Sequence, residues 1–155
     1  QTPRPLEPEP HFLGGYDDLP KFLSEIDFLV ICCPLSDQTR SIIGETQLAA
    51  MKSSAVVINV ARGHIADEDA LYAALKNNVI GGGILDTWYQ YPSADNPAVR
   101  PSRQPYHELD NVPMTPHISG WSEGQQQRRW AKTGDNIEAL LTGGELINVI
   151  RPAAS

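Results

Sequence analysis

The stretch AVVINVARGHIADEDALYAAL, residues 55–75, changes its period halfway along. Ala55 to Val60 is an apolar run of strand length centred on Val56, Val57 and Ile58, and Asn59 with the Ala61-Arg62-Gly63 turn ends it. Asp67 then stands where a helix cap belongs. Ala70, Leu71, Ala74 and Leu75 follow on one face of a helical period, and Asn77 and Asn78 stop it. On the N-terminal side, Phe28 to Cys33 repeats the apolar run before Pro34; on the C-terminal side, Gly81 to Asp86 is a third strand. Unbroken apolar runs of this length predict strands buried on both faces of a parallel sheet. Leu19, Phe22, Leu23 and Ile26 keep helical spacing behind Asp17 and Asp18, and Leu48 to Met51 suggests a further short helix. Strands alternating with helices define an α/β chain with a parallel sheet and right-handed crossovers. Ligands of such sheets sit beyond the carboxyl ends of the strands. Ser36 and Thr39, Asn59 and Arg62, and Asp86 stand at those three ends.

The flanks read differently. Residues 1–16 hold Pro3, Pro5, Pro8 and Pro10 without a period, which predicts an extended connection. Residues 89–111 form a long proline-containing loop that leads through Val112 to Thr115 into Pro116-His117. Residues 121–155 carry a long helix and tail; Ser122 with Gln125 predicts a capping box, Trp130, Ile137, Leu140 and Leu141 its apolar positions, and Gly143-Gly144 its end.

Across 155 residues, 19 acidic side chains outnumber 12 basic ones, for a net charge of -7. That balance opposes nucleic acid and anionic lipid as partners, since both require a basic patch. No run reaches the ~20 apolar residues that span a bilayer, so no membrane partner is expected. Cys32 and Cys33 are adjacent and build neither a disulfide framework nor a metal site, so no metal is expected and a reducing cytoplasm is the expected compartment.

Five blocks stand in order: Cys33-Pro34-Leu35, Ile58 to Gly63, Asp67 to Leu75, Leu85-Asp86, and Thr115-Pro116-His117-Ile118-Ser119-Gly120. Together they resemble the cofactor domain of the D-isomer-specific 2-hydroxyacid dehydrogenases, a superfamily that also holds formate and phosphite dehydrogenases. The resemblance covers roughly Asp17 to Ile150. It implies a partial Rossmann-type domain over residues 17–120, with NAD or NADP lying across the strand ends beside a small 2-hydroxy or 2-keto acid. It further implies a homodimer for the complete protein.

Carried onto this chain, the resemblance makes Arg62 the substrate anchor, because a guanidinium fork matches a carboxylate. His117 becomes the general acid/base, since an imidazole can deliver a proton to the carbonyl oxygen and take it back. The family's carboxylate that orients the histidine falls near Tyr91 when counted from Asp86, with Gln90 beside it. Gln90 is the expected partner, a neutral amide that orients the ring without stabilising its cation. On the cofactor side the resemblance implies Cys33 and Pro34 near the adenosine, Val60 and Ala61 near the nicotinamide, Asp86 at the carboxamide, and Ser119 and Gly120 after the histidine.

The sequence contains no G-x-G-x-x-G; Gly14-Gly15 precedes a loop and Gly81-Gly82-Gly83 opens a strand. The glycine-rich first βαβ unit is therefore absent, and the chain reads as the C-terminal part of a longer oxidoreductase, inactive by itself. Two further readings compete: a formate-like dehydrogenase, suggested by Gln90 and Asp86-Thr87-Trp88, and a nonenzymatic dinucleotide-binding or scaffold domain.

Overall fold

The computed structural model describes residues 8–149. The chain divides into two compact units, Gln1–Ser119 and Gly120–Ser155.

In the first unit, a 3-10 turn at Tyr16–Asp18 runs into α1 (Leu19–Glu25), β1 (Phe28–Ile31), α2 (Glu45–Ala49), β2 (Val56–Asn59), α3 (Glu68–Lys76) and β3 (Gly82–Leu85). The strands pair in parallel in the order β1-β2-β3, Phe28 opposite Val56 and Val56 opposite Gly82. Each strand is shorter than its apolar run, and Cys32 and Cys33 fall beyond β1. The helix of residues 45–49 starts earlier than Leu48, on Gly44, whose N–H donates to the Gln47 side chain at 3.2 Å. Asp67 caps α3 as its position predicts, accepting from the Ala70 N–H at 2.9 Å.

The parallel sheet is present, but burial on both faces is not. Leu29, Ile31, Val57 and Leu85 are buried in one core with Leu23 of α1, Leu48 of α2 and Leu71 and Leu75 of α3. On the other face Phe28 is 64% exposed, Val30 53% and Ile84 40%. The cause is topological. When strands are added in one direction, right-handed crossovers put every connecting helix on the same face. Covering the second face takes strands added in the opposite direction across β1. Along the free edge of β1 lies an apolar cleft of about 590 Å³, reaching from Phe12 and Leu13 to Cys32 and Cys33.

The glycines of β3 serve packing. A Cβ at Gly82 would stand 2.9 Å from the Asn111 carbonyl oxygen, and one at Gly83 3.3 Å from Leu75. This closeness lets residues 111–115 run beside β3: Gly83 N–H donates to Asn111, Leu85 N–H to Pro113, and Thr115 N–H to Leu85, each at 3.0 Å. Residues 115–119 are thereby delivered to the carboxyl end of the sheet. The loop before them is held by Glu68, whose carboxylate accepts from the Ser102 hydroxyl at 2.7 Å, the Arg103 N–H at 2.7 Å and the Arg103 Nε at 2.8 Å. Burial pushes the Glu68 carboxyl up, but these bonds outweigh it and its pKa lies below the ordinary value.

The second unit contains α4 (Gln125–Thr142), none of whose side chains is buried. Ser122 is not its cap: Gly124, in the left-handed region at φ 71°, precedes the helix, and the Ser122 hydroxyl accepts from Arg128 Nη2 at 3.3 Å. Gly143 ends it at φ 71°, as expected. Of the proline-rich connection, residues 1–7 lie outside the described residues, as do residues 150–155 of the tail. Residues 8–15 carry no helix or strand.

Candidate functional site

At the carboxyl edge of the sheet, buried polar side chains join the ends of β2 and β3 to one loop. Asn59, at the end of β2, is 1% exposed. Its amide donates to the Arg62 carbonyl at 3.0 Å and its oxygen accepts the Ala61 N–H at 3.1 Å, so it shapes the turn that carries Arg62. The same oxygen accepts the Thr87 hydroxyl at 3.2 Å, and the Asp86 N–H donates to the Asn59 carbonyl at 3.1 Å. The turn after β2 and the end of β3 are thus one unit. Gly63 is required where they touch, because a Cβ there would fall 2.5 Å from the Trp88 carbonyl.

Asp86 carries the connection onward. Its carboxylate is 2% exposed and accepts four hydrogen bonds of 2.5 to 3.0 Å, from the Thr115 and Ser119 hydroxyls and the Ile118 and Ser119 N–H groups. Burial pushes this carboxyl up, but the bonds from Ser119, Thr115 and Ile118 prevail and bring its pKa down to about 2. A carboxylate offers about four lone-pair sites, and here four donors within the protein take them. In the structure Asp86 holds the 115–119 loop.

His117 sits inside that loop at φ 59°. The left-handed region is uncommon for a residue with a side chain and persists where the surroundings over-determine it. Bonds to Asp86 on both sides of His117 supply that constraint. The ring is exposed, and its Nδ1 lies 2.9 Å from the Tyr91 hydroxyl. Tyr91 Oη accepts the Trp88 N–H at 3.0 Å, and Trp88 Nε1 donates to the Thr115 carbonyl at 3.0 Å. The partner of His117 is therefore Tyr91 and not Gln90. The Gln90 N–H turns back to the Pro101 carbonyl at 3.0 Å, and the residue lines a cleft of about 810 Å³ with Trp88, Tyr91, Met114 and Pro116. One position along a loop decides which side chain reaches the ring, and local sequence carries no signal for that.

Arg62 is exposed, its Nη1 donates only to the neighbouring Ala61 carbonyl, and among the described residues it forms no ion pair. Cys33 and Pro34 are exposed after β1, and Val60 is exposed beside the half-buried Ala61. Ser119 bonds to Asp86, and a Cβ at Gly120 would meet no protein atom within 4 Å. Sequence reasoning gave Glu68 no individual role and did not foresee the bonds that Thr87 and Trp88 make. The Glu68 bonds to Ser102 and Arg103, the Thr87 bond to Asn59 and the Trp88 Nε1 bond to Thr115 span 27 to 35 residues, with no pattern in the chain to mark them.

A family model described as D-isomer specific 2-hydroxyacid dehydrogenase, NAD binding domain, matches residues 2–119. A glyoxylate/hydroxypyruvate reductase B of Salmonella gallinarum is 39% identical over 153 residues, which are 98% of this chain and 45% of the relative. The chain thus spans about half the length of the curated relatives it matches. A D-isomer specific 2-hydroxyacid dehydrogenase of Xanthobacter autotrophicus, solved with NADPH and MES, superposes with a TM-score of 0.71 at 31% identity, over 89% of this chain and 53% of that one. A D-lactate dehydrogenase of Lactobacillus jensenii solved with NAD+ gives 0.75 at 26% identity, over 86% and 42%.

Proposed function

The chain belongs to the D-isomer specific 2-hydroxyacid dehydrogenase family through its NAD-binding domain, and on that premise we propose that it supplies the acid/base and substrate-anchoring side of an active site that interconverts small 2-keto and 2-hydroxy acids. The observation that carries this reading is the unbroken hydrogen-bonded path from the Arg62 turn through Asn59, Thr87 and Asp86 to the loop of His117. It fixes a permanent cation and an imidazole on one edge of the sheet.

Arg62, with no carboxylate of its own, is free to take the substrate carboxylate in a two-pronged bond and to polarise the adjacent carbonyl. His117 gives its proton to the carbonyl oxygen in reduction and recovers it in oxidation. The exposed Cys33 and Pro34 suit the adenosine side of a nicotinamide cofactor, and the exposed Val60 with the half-buried Ala61 suits its nicotinamide side. Among the described residues no glycine-rich turn at a helix N-terminus is present to cradle a pyrophosphate. When bound, such a cofactor supplies or accepts the hydride. The chain's own residues anchor the acid and move the proton.

Formate-like oxidation keeps only Asp86-Thr87-Trp88 in its favour, because Tyr91 rather than Gln90 bonds to His117. A cytoplasmic homodimer completes the proposal. The free thiols of Cys32 and Cys33 support the compartment, and the exposed Trp130, Ile137, Leu140 and Leu141 of α4 support the assembly.

The test joins this chain to the N-terminal half of the Salmonella reductase and follows oxidation of NADH and NADPH with glyoxylate and hydroxypyruvate. Arg62→Ala and His117→Ala are each expected to lower kcat/KM by about 100-fold or more. Keto-acid reduction that survives both changes overturns the proposal. A chimera that binds NADH without turnover leaves the nonenzymatic reading in its place.

A further inference from the structure

We propose that Tyr91 is the positioning residue that sets the tautomer of His117, holding the neutral imidazole with its proton on Nε2. The inference comes from donor and acceptor accounting at one oxygen. The Trp88 N–H can only donate, and it lies 3.0 Å from Tyr91 Oη. That bond occupies one acceptor position of the phenol oxygen, and the O–H is assigned to the second neighbour. That neighbour is His117 Nδ1, at 2.9 Å. An Nδ1 that accepts a hydrogen bond carries no proton, so in the neutral ring the proton is on Nε2. The two rings, with centroids 5.6 Å apart and tilted by 47°, hold this arrangement on an exposed turn.

A carboxylate in the place of Tyr91 would do the opposite. It can only accept, and so it selects the Nδ1–H tautomer and leaves a lone pair on Nε2. Tyr91 therefore presents the substrate with an Nε2–H that hydrogen-bonds and polarises the carbonyl oxygen of a keto acid, proton transfer to that oxygen belonging to the charged ring, and it leaves no Nε2 lone pair for the hydroxyl proton of a hydroxy acid. This functional consequence rests on the role of His117 proposed above. The tautomer itself does not.

The test is nitrogen NMR of the 155-residue chain with 15N-labelled imidazoles, at a pH where the His117 ring is neutral. The expected result is a protonated Nε2 and a hydrogen-bonded, unprotonated Nδ1. In Tyr91→Phe the Nδ1 signal shifts as its donor is lost, and Tyr91→Glu moves the proton to Nδ1. Tyr91 is exposed, so both variants leave the core alone, and the amide spectrum of β1–β3 is expected to stay unchanged in each. A wild-type ring protonated at Nδ1, or a Tyr91→Phe variant with an unmoved Nδ1 signal, overturns the inference. Either result leaves the role of Arg62 and His117 in the chimera standing. A chimera indifferent to His117 removes the functional reading and leaves the tautomer untouched.

Discussion

The two faces of the sheet are built from the same kind of residue and have opposite fates. Leu29, Ile31, Val57 and Leu85 are sealed beneath three helices, while Phe28, Val30 and Ile84, alternating with them along the same strands, stand open. In an antiparallel sheet with one wet face the open positions would be polar. Here they are apolar. Strand composition thus records the environment for which the residues are suited, whereas burial records which crossovers are present to cover them.

The largest effect is expected on the covered face. Leu75→Ala removes a fully buried side chain that packs against the strands through Gly83, and a loss of about 2–5 kcal/mol is expected in urea unfolding. A loss near zero would mean that the core is loose and the contrast between the faces false.

An intermediate effect belongs to the rim, which depends on hydrogen bonds rather than on either face. Asp86→Asn turns an acceptor of four bonds into a group with one acceptor oxygen, and hydrogen bonds to a charged group are worth about 1.5–3 kcal/mol. Acid is expected to act on the same clamp. Because folding lowers the Asp86 pKa from 3.8 to about 2, its stabilisation is complete above the unfolded value and is lost as pH falls through the folded one. The Ile118 and Ser119 amide signals are expected to titrate together near pH 2, and signals that stay fixed there would remove Asp86 as the clamp.

The smallest effect is expected on the open face. Val30→Thr should change stability by no more than about 0.5 kcal/mol, and Val30→Lys combined with Ile84→Lys should weaken any self-association seen in sedimentation, since exposed apolar patches promote it. If Val30→Thr costs as much as a core substitution, the face is covered in solution and the comparison fails.

The site was legible in part. Arg62 and His117 stand in short blocks whose order survives in the sequence, and the fold brings both to one edge. Gln90 and Tyr91 are neighbours on a loop, the first half-buried and the second exposed, where one residue of register decides which side chain meets the ring. The clamp formed by Asp86 was hidden for a related reason. Four donors 29 to 33 residues away in sequence converge on it, and a chain read in order does not show convergence.

The sequence by itself determined the alternation of strands and helices, the cap at Asp67 and the stop at Gly143, because periodicity, capping and glycine's left-handed preference act over a few residues. Only the tertiary structure decided that one face of the sheet stays open, that Glu68 and Asp86 clamp the loops, and that Tyr91 holds His117. These depend on crossover handedness and on partners 26 to 35 residues apart, and distances of that order are set by the path of the chain through space.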